Sequence, residues 1–240
     1  TPTRRQRQMC IRDRLMTDQP NKDISHDPDS HFWKMANKLD VNKSRFDKRE
    51  RKNVPSADVS HKAMSVNLDA CIHCNLCVRA CREVQVNDVI GMGMRGNTSK
   101  VIFDFDDPMG DSTCVSCGEC VQACPTGALM ESNLLDEKGI HKGNHDREVN
   151  SLCPYCGVGC QLTFKIKDEK IVAATGRNGP ANQNRLCVKG RFGFDYIHDP
   201  GRLIKPLIRK KNVKKDPLEK LDPLNPLTHF REASWDEALN

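Results

Sequence analysis

Apolar positions in this chain are sparse, and they fall into short groups with clear periods. Residues 15–65 are polar, rich in Asp, Lys, Asn and His, with one amphipathic stretch, His31–Leu39, that predicts a short helix. The rest of 15–65 reads as an extended connection over a surface. Val89–Met94 and Lys100–Phe105 predict two strands joined by the turn-rich Arg95–Ser99. Glu131–Asn150 reads as a polar linker. Gln161–Lys167 alternates with period two, Lys167–Lys170 turns, and Ile171–Ala174 returns, which predicts a hairpin. Pro206–Pro226 is a Pro- and Lys-rich connection, and Ser234–Glu237 has the capping-box form that opens a helix.

Composition makes this pattern more pointed. The 240 residues are 37% hydrophobic, 5% aromatic and 29% charged, so apolar burial alone is short for one large core. Small domains in that position use disulfides or metals. The net charge is +6, and part of the excess lies in Arg209, Lys210, Lys211, Lys214 and Lys215. No aromatic residues are interleaved there, so a solvated linker is expected and nucleic acid is not. No apolar run approaches the roughly 18 residues of a membrane span. The Arg-rich run Arg4–Asp13 lacks the apolar region of an export signal. It resembles a translated transposase sequencing adaptor, so residues 1–14 are expected to be non-native and Cys10 is set aside. The chain stops within the first turns of its final helix, and a truncated C-terminus is expected.

Twelve of the 13 cysteines form three groups between Cys71 and Cys187. Cys71, Cys74, Cys77 and Cys81 follow C-x2-C-x2-C-x3-C, and Cys114, Cys117, Cys120 and Cys124 repeat it 43 residues later, with Pro125 next. This is the bacterial two-cluster ferredoxin pattern, in which the fourth cysteine of each run serves the other cluster. Cys71, Cys74, Cys77 and Cys124 are therefore expected to hold one [4Fe–4S] cluster, and Cys114, Cys117, Cys120 and Cys81 another. Each fourth cysteine is expected at the start of a helix. A zinc ribbon would need two C-x2-C pairs, and a disulfide framework an oxidising setting. Arg82 replaces the usual proline after the first run. His73, inside the first loop, reads as a surface residue tuning the cluster's surroundings. His26, His31 and His61 have no cysteine close by and read as solvent-facing.

Cys153, Cys156, Cys160 and Cys187 form a third set, C-x2-C-x3-C-x26-C, three of them on a Gly- and Pro-rich loop. Four cysteines alone would also suit zinc. The flanks decide the reading: Cys153–Gly159 and Leu186–Phe192 resemble the N-terminal cluster domain of the molybdopterin-guanine-dinucleotide oxidoreductases. In that family the residue matched by Lys189 lies between the [4Fe–4S] cluster and a pterin and assists electron passage. A surface lysine is the plainer alternative. Val78–Gln85, Phe103–Gly110, Gly179–Asn182 and Arg185–Tyr196 resemble the catalytic alpha subunit of cytoplasmic NAD-dependent formate dehydrogenases. The likeness covers roughly Leu68–Ile208 and, more weakly, Arg231–Leu239.

The resemblance implies an α+β chain. A two-[4Fe–4S] ferredoxin-like domain (66–132) and a linker (133–150) precede a small antiparallel [4Fe–4S] subdomain of a molybdopterin oxidoreductase (151–206). Residues 207–240 would be a linker and the start of a truncated pterin-binding domain. It implies three [4Fe–4S] clusters here and a Mo or W bis-molybdopterin guanine dinucleotide in the full-length protein. Partner subunits of the same complex would carry further iron–sulfur clusters, FMN and NAD. Electrons from formate would pass through the third cluster to the ferredoxin-like pair and on to those partners. The family's metal-ligating Cys or Sec and its His lie beyond Asn240, so the fragment alone is expected to be inactive. The competing readings are a cluster-bearing subunit of a complex I-like or NAD-reducing hydrogenase assembly, and another pterin oxidoreductase such as an assimilatory nitrate reductase.

Overall fold

The apolar runs between the first two cysteine groups form the predicted hairpin. The computed structural model describes residues 4–22, 25–41, 43–47, 56–222 and 224–240, with backbone only at 4–10 and 97. In it β2 (Ile90–Gly93) pairs antiparallel with β3 (Lys100–Phe103), and strand alternation turns Val101 and Phe103 inward. A second antiparallel pair, β1 (Met64–Val66) and β4 (Leu129–Glu131), ties together the two ends of the cysteine repeat. Two short helices lie between them. One is α3 (Leu76–Arg79), which widens into a π turn over Ala80–Val84, and the other is α4 (Glu119–Ala123). Met64, Val66, Val78, Val89, Ile90, Val101, Phe103, Met109 and Leu129 make the main core, and Cys77, Cys81 and Cys120 belong to it.

The predicted C-terminal hairpin is also present, as β6 (Gln161–Lys167) and β7 (Lys170–Gly176). Its turn residues Asp168 and Glu169 have φ of 49° and 59°, the left-handed pair that a two-residue turn of this hand requires. A third strand, β5 (Arg147–Leu152), pairs with β6 inside the stretch that reads as a linker. It was hidden because it is an edge strand with nearly every residue exposed, so no apolar alternation marks it. Leu162, Ala173 and Ala174 are the sheet's most deeply buried residues. The short helix α5 (Val188–Phe192) packs against β7.

The N-terminal region is more structured than an extended connection. Helix α1 runs from Arg4 to Asp18, across the boundary expected at Leu15. The predicted helix forms as α2 (His31–Lys38), capped by Ser30 Oγ accepting from the Trp33 N–H at 3.4 Å. Met16, Trp33 and Ala36 share a small core with Phe32 and Val41. Three hydrogen bonds pin this region to the cysteine repeat. Gln19 Nε2 donates to Ala70 O at 3.1 Å, Phe32 N–H to Pro125 O at 2.8 Å, and His26 Nδ1–H to Gly127 O at 2.6 Å. His26 is therefore buried, not solvent-facing, whereas His31 is exposed as expected. Residues 48–55 of the expected connection, and the Cys10 side chain, lie outside what is described.

The chain divides into a large unit ending at Phe194 and a small one, Asp195–Asn240. The small unit has one antiparallel pair, β8 (Leu207–Arg209) with β9 (Phe230–Glu232). The Arg209 guanidinium sits over the Phe230 ring at 4.9 Å. Ser234 Oγ accepts from the Glu237 N–H at 3.1 Å and opens α6 (Trp235–Leu239), as its sequence predicts. Among the described residues no helix is long and apolar enough to cross a membrane.

Candidate metal centres

The two ferredoxin-type loops follow the same backbone path 43 residues apart. His73 and Asn75 have φ of 56° and 62°, and Ser116 and Gly118, at matching positions, have 57° and 72°. Two left-handed residues per loop coil the backbone tightly around its sulfurs. The N–H of His73 donates to Cys71 Sγ and that of Ser116 to Cys114 Sγ, both at 3.4 Å, and Val89 N–H donates to Cys81 Sγ at 3.4 Å. Such N–H···S bonds stabilise charge on sulfur.

Each loop runs into a helix, and there the structure corrects an expectation. The fourth cysteine does not open the helix but lies a turn into it or closes it. Cys81 lies in the π turn after α3, and Cys124 is the residue that closes α4. The third cysteine, Cys77 or Cys120, lies within the helix, one turn before the fourth, so the pair shares a face. That geometry carries each fourth sulfur across to the other repeat. Cys71, Cys74, Cys77 and Cys124 line one pocket, walled by Leu68, Ile72, Val101 and Leu129. Burial pushes the Cys77 thiol up to about 12, with Cys124, Cys71 and Cys74 adding repulsion. Burial likewise raises Cys120 well above its ordinary value, and Cys117, Cys114, Cys77 and Cys81 add to it.

The third set is more open. Cys156 and Cys187 are exposed, and Cys153 and Cys160 partly so. Cys153 N–H donates to Cys160 O at 2.8 Å, closing the loop, and Tyr155 Oη donates to Gly193 O. Cys160 is raised by burial and then by repulsion from Cys153, Cys156 and Cys187. The long return to Cys187 is organised by Asn182, 6% exposed. Its Nδ2 donates to the carbonyls of Gln161, Arg177 and Arg185, and its Oδ1 accepts from Gln161 N–H at 3.0 Å. A Cβ on Gly179 would lie 2.8 Å from that Oδ1, so glycine is what lets the amide pass. Lys189 is exposed on α5, two residues after Cys187.

Three neighbours of the cysteine loops, His61, Arg191 and Glu119, carry no sequence signal of their own, because they approach the cysteines only in the fold. His61 is half-buried, which corrects its solvent-facing reading. Its Nδ1 accepts from the N–H groups of Ala63 and Met64 at 3.1 and 3.2 Å, so Nε2 carries the proton and donates to Ser116 Oγ at 2.9 Å. Arg191 and Glu119 form an ion pair at 2.6 Å with side chains 0% and 7% exposed. His73 is exposed.

All twelve cysteines of the three sets are free thiols. Among the described residues no three His, Cys, Asp or Glu side chains converge as a single ion would require. The donors are all sulfur, backed by backbone N–H groups and, in the first set, by apolar walls. That chemistry fits iron–sulfur cubanes.

Comparison with known proteins agrees. Residues 70–128 match the 4Fe-4S dicluster domain, and residues 146–199 match the molybdopterin oxidoreductase Fe4S4 domain. The chain is 32% identical over 218 residues to "Probable oxidoreductase YjgC" of Bacillus subtilis, covering 76% of this chain and 20% of that protein. It is 30% identical over 208 residues to "Putative formate dehydrogenase SH0748" of Staphylococcus haemolyticus, covering 72% and 20%. The chain thus spans about a fifth of the length of these curated relatives. A chain of an NAD+-reducing [NiFe]-hydrogenase, solved in the H2-reduced state, overlays 55% of this chain and 57% of its own, with a TM-score of 0.45 and 20% identity. The chain thus contains one segment similar to the 4Fe-4S dicluster domain and a second similar to the molybdopterin oxidoreductase Fe4S4 domain, and the cysteines in both are free.

Proposed function

We propose that this chain is the electron-transfer part of the catalytic subunit of a formate dehydrogenase, passing electrons from formate oxidation at a Mo- or W-pterin site toward flavin- and NAD-binding partner subunits. One observation carries the reading: Cys71, Cys74 and Cys77 of the first ferredoxin-type loop line one pocket with Cys124 of the other repeat. Cys71, Cys74, Cys77 and Cys124 would hold one [4Fe–4S] cluster, Cys81, Cys114, Cys117 and Cys120 a second, and Cys153, Cys156, Cys160 and Cys187 a third. Each such cluster accepts and gives up one electron at a time.

The chain's own residues supply the rest. N–H groups of His73, Ser116 and Val89 donate to ligand sulfurs and ease added negative charge. Burial of Cys77, Cys81 and Cys120 shields one side of each of the first two sites from water. Lys189, exposed beside Cys187, is available to a pterin, and its charge would stabilise an electron on either neighbour. The formate assignment is supported by the relatives named for that activity.

The test is iron and acid-labile sulfide analysis of the anaerobic protein with low-temperature EPR, then formate reduction of the assembled oxidoreductase. About twelve irons per chain are expected, with all three clusters reduced by formate. Clusters that NADH reduces and formate does not would replace this reading with that of an electron-carrying subunit. Lys189→Ala should slow formate reduction of the third cluster while leaving iron content unchanged.

A further inference from the structure

Two parts of the chain that carry separate cysteine sets meet at one buried guanidinium. Arg191 lies on α5, four residues after Cys187, and is 0% exposed. Its Nε donates to Cys117 O at 2.7 Å, one terminal nitrogen to Glu119 Oε1 at 2.6 Å, and the other to Gln122 Oε1 at 2.9 Å. Glu119 Oε1 also accepts from Leu186 N–H at 3.0 Å. The residue before Cys187 and the residue four beyond it are thus both tied to the loop of Cys114, Cys117 and Cys120. Gln122 extends the seam, donating to Asn184 O at 3.1 Å.

The repeat itself indicates that this contact is specific. At the same left-handed position the first loop has Asn75 and the second has Gly118. A Cβ at 118 would overlap Arg191 Cδ and lie 3.0 Å from Phe192 Cζ. The second loop lacks a side chain where Arg191 packs. A buried ion pair is a weak route to stability compared with apolar residues of the same shape. Its natural use here is fixed geometry and fixed charge.

We propose that Arg191, held by Glu119, is a positioning residue that fixes the cluster of Cys81, Cys114, Cys117 and Cys120 against the cluster of Cys153, Cys156, Cys160 and Cys187, and sets the potential of the former. The proposal rests on the cluster reading above. Electron passage between two centres depends steeply on their separation, and a nearby positive charge favours the reduced state.

The experiment is an EPR-monitored redox titration of the iron-loaded chain and three variants. Arg191→Gln leaves Glu119 buried without its partner, so the midpoint of the Cys114-loop cluster should fall. Glu119→Gln leaves the guanidinium uncompensated, so the same midpoint should rise. Arg191→Lys keeps the charge but loses the forked bonds to Cys117 and Gln122. Its midpoint should stay near the parent's while magnetic coupling between the two reduced clusters weakens. Opposite shifts from the two halves of one ion pair are not expected of a purely structural strut. Shifts of the same sign, or none, in variants that retain full iron would overturn the proposal. If Arg191→Gln fails to retain iron, the Glu119→Gln and Arg191→Lys pair decides the question alone. A parent chain that binds zinc, or lacks acid-labile sulfide, would instead overturn the cluster reading itself.

Discussion

Glu131 offers the most quantitative check on the packing between the cysteine repeat and the sheet that follows it. It ends β4, is 4% exposed, and its Oε2 has no hydrogen-bond partner among the described residues. Burial pushes its carboxyl up to about 7 from an ordinary 4.5, against the downward pull of Arg191 and Lys165. Below about pH 4.5 the folded and unfolded chains both hold the proton, and nothing is lost. From there to about pH 7 the unfolded chain releases the proton and the fold retains it, so stability falls as pH rises. Above pH 7 the loss is complete, at about 3 kcal/mol, taking ~1.4 kcal/mol per tenfold change. Glu131→Gln keeps the shape and removes the charge. Measured as anaerobic denaturant midpoints followed by circular dichroism, it should gain about 1 kcal/mol near pH 5.5 and about 3 kcal/mol near pH 8. An equal gain at both pH values, or a loss at the higher one, would show that the carboxyl is not held in the buried environment described.

Other perturbations test the centres directly. Cys124→Ala and Cys77→Ala should abolish the same EPR signal, and Cys81→Ala and Cys120→Ala the other, each with a loss of about four irons; pairing of Cys124→Ala with Cys120→Ala would refute the crossing of the repeats. Burial lowers the His26 pKa, despite its hydrogen bond to Gly127 and the nearby Asp27. Stability from this neutral ring is present above the ordinary 6.5 and is lost as pH falls below it. Between about pH 7.5 and 5.5 the parent's denaturant midpoint should therefore fall relative to that of His26→Gln, in which the opposite Glu131 contribution is unchanged. A chelator should strip iron first from the exposed set of Cys153, Cys156, Cys160 and Cys187, and Asn182→Ala should hasten that loss at a cost of about 2–4 kcal/mol in stability. Release of all iron in a single phase would count against the difference in burial between the sets.

The cysteine pattern was legible because a ligand spacing is local: two residues between sulfurs fixes a loop whatever the rest of the chain does. The β2–β3 and β6–β7 hairpins were legible for a related reason, since their alternation and turn residues lie within a few positions of one another. The edge strand β5 was not, because Arg147–Leu152 pairs through backbone alone and leaves its side chains in solvent. His26 and His61 were misread for want of a neighbouring cysteine. Their partners, Gly127 and Ser116, are 101 and 55 residues away and come near only when β1 and β4 close the repeat. The helical position of the fourth cysteine is not local in the same way: each tight loop already starts its helix beside the third cysteine, so the fourth falls one turn later.

Two ways of holding a metal site together coexist in the large unit. Around the first two sets the thiols are themselves part of the apolar core, with Cys77, Cys81 and Cys120 packed among Val78, Ile90, Phe103 and Leu129. If these thiols hold clusters as proposed, fold and cluster would form together, because the core is built around the ligands themselves. Around the third set there is little apolar material, and polar bonds do the organising: Asn182 to three carbonyls, Tyr155 to Gly193, and Arg191 and Glu119 to the neighbouring loop. Such bonds are directional, and they fix a distance better than they stabilise a fold. This chain, poor in apolar residues, puts its main core around the paired sites, and it puts the buried Arg191–Glu119 pair where the third set meets the second.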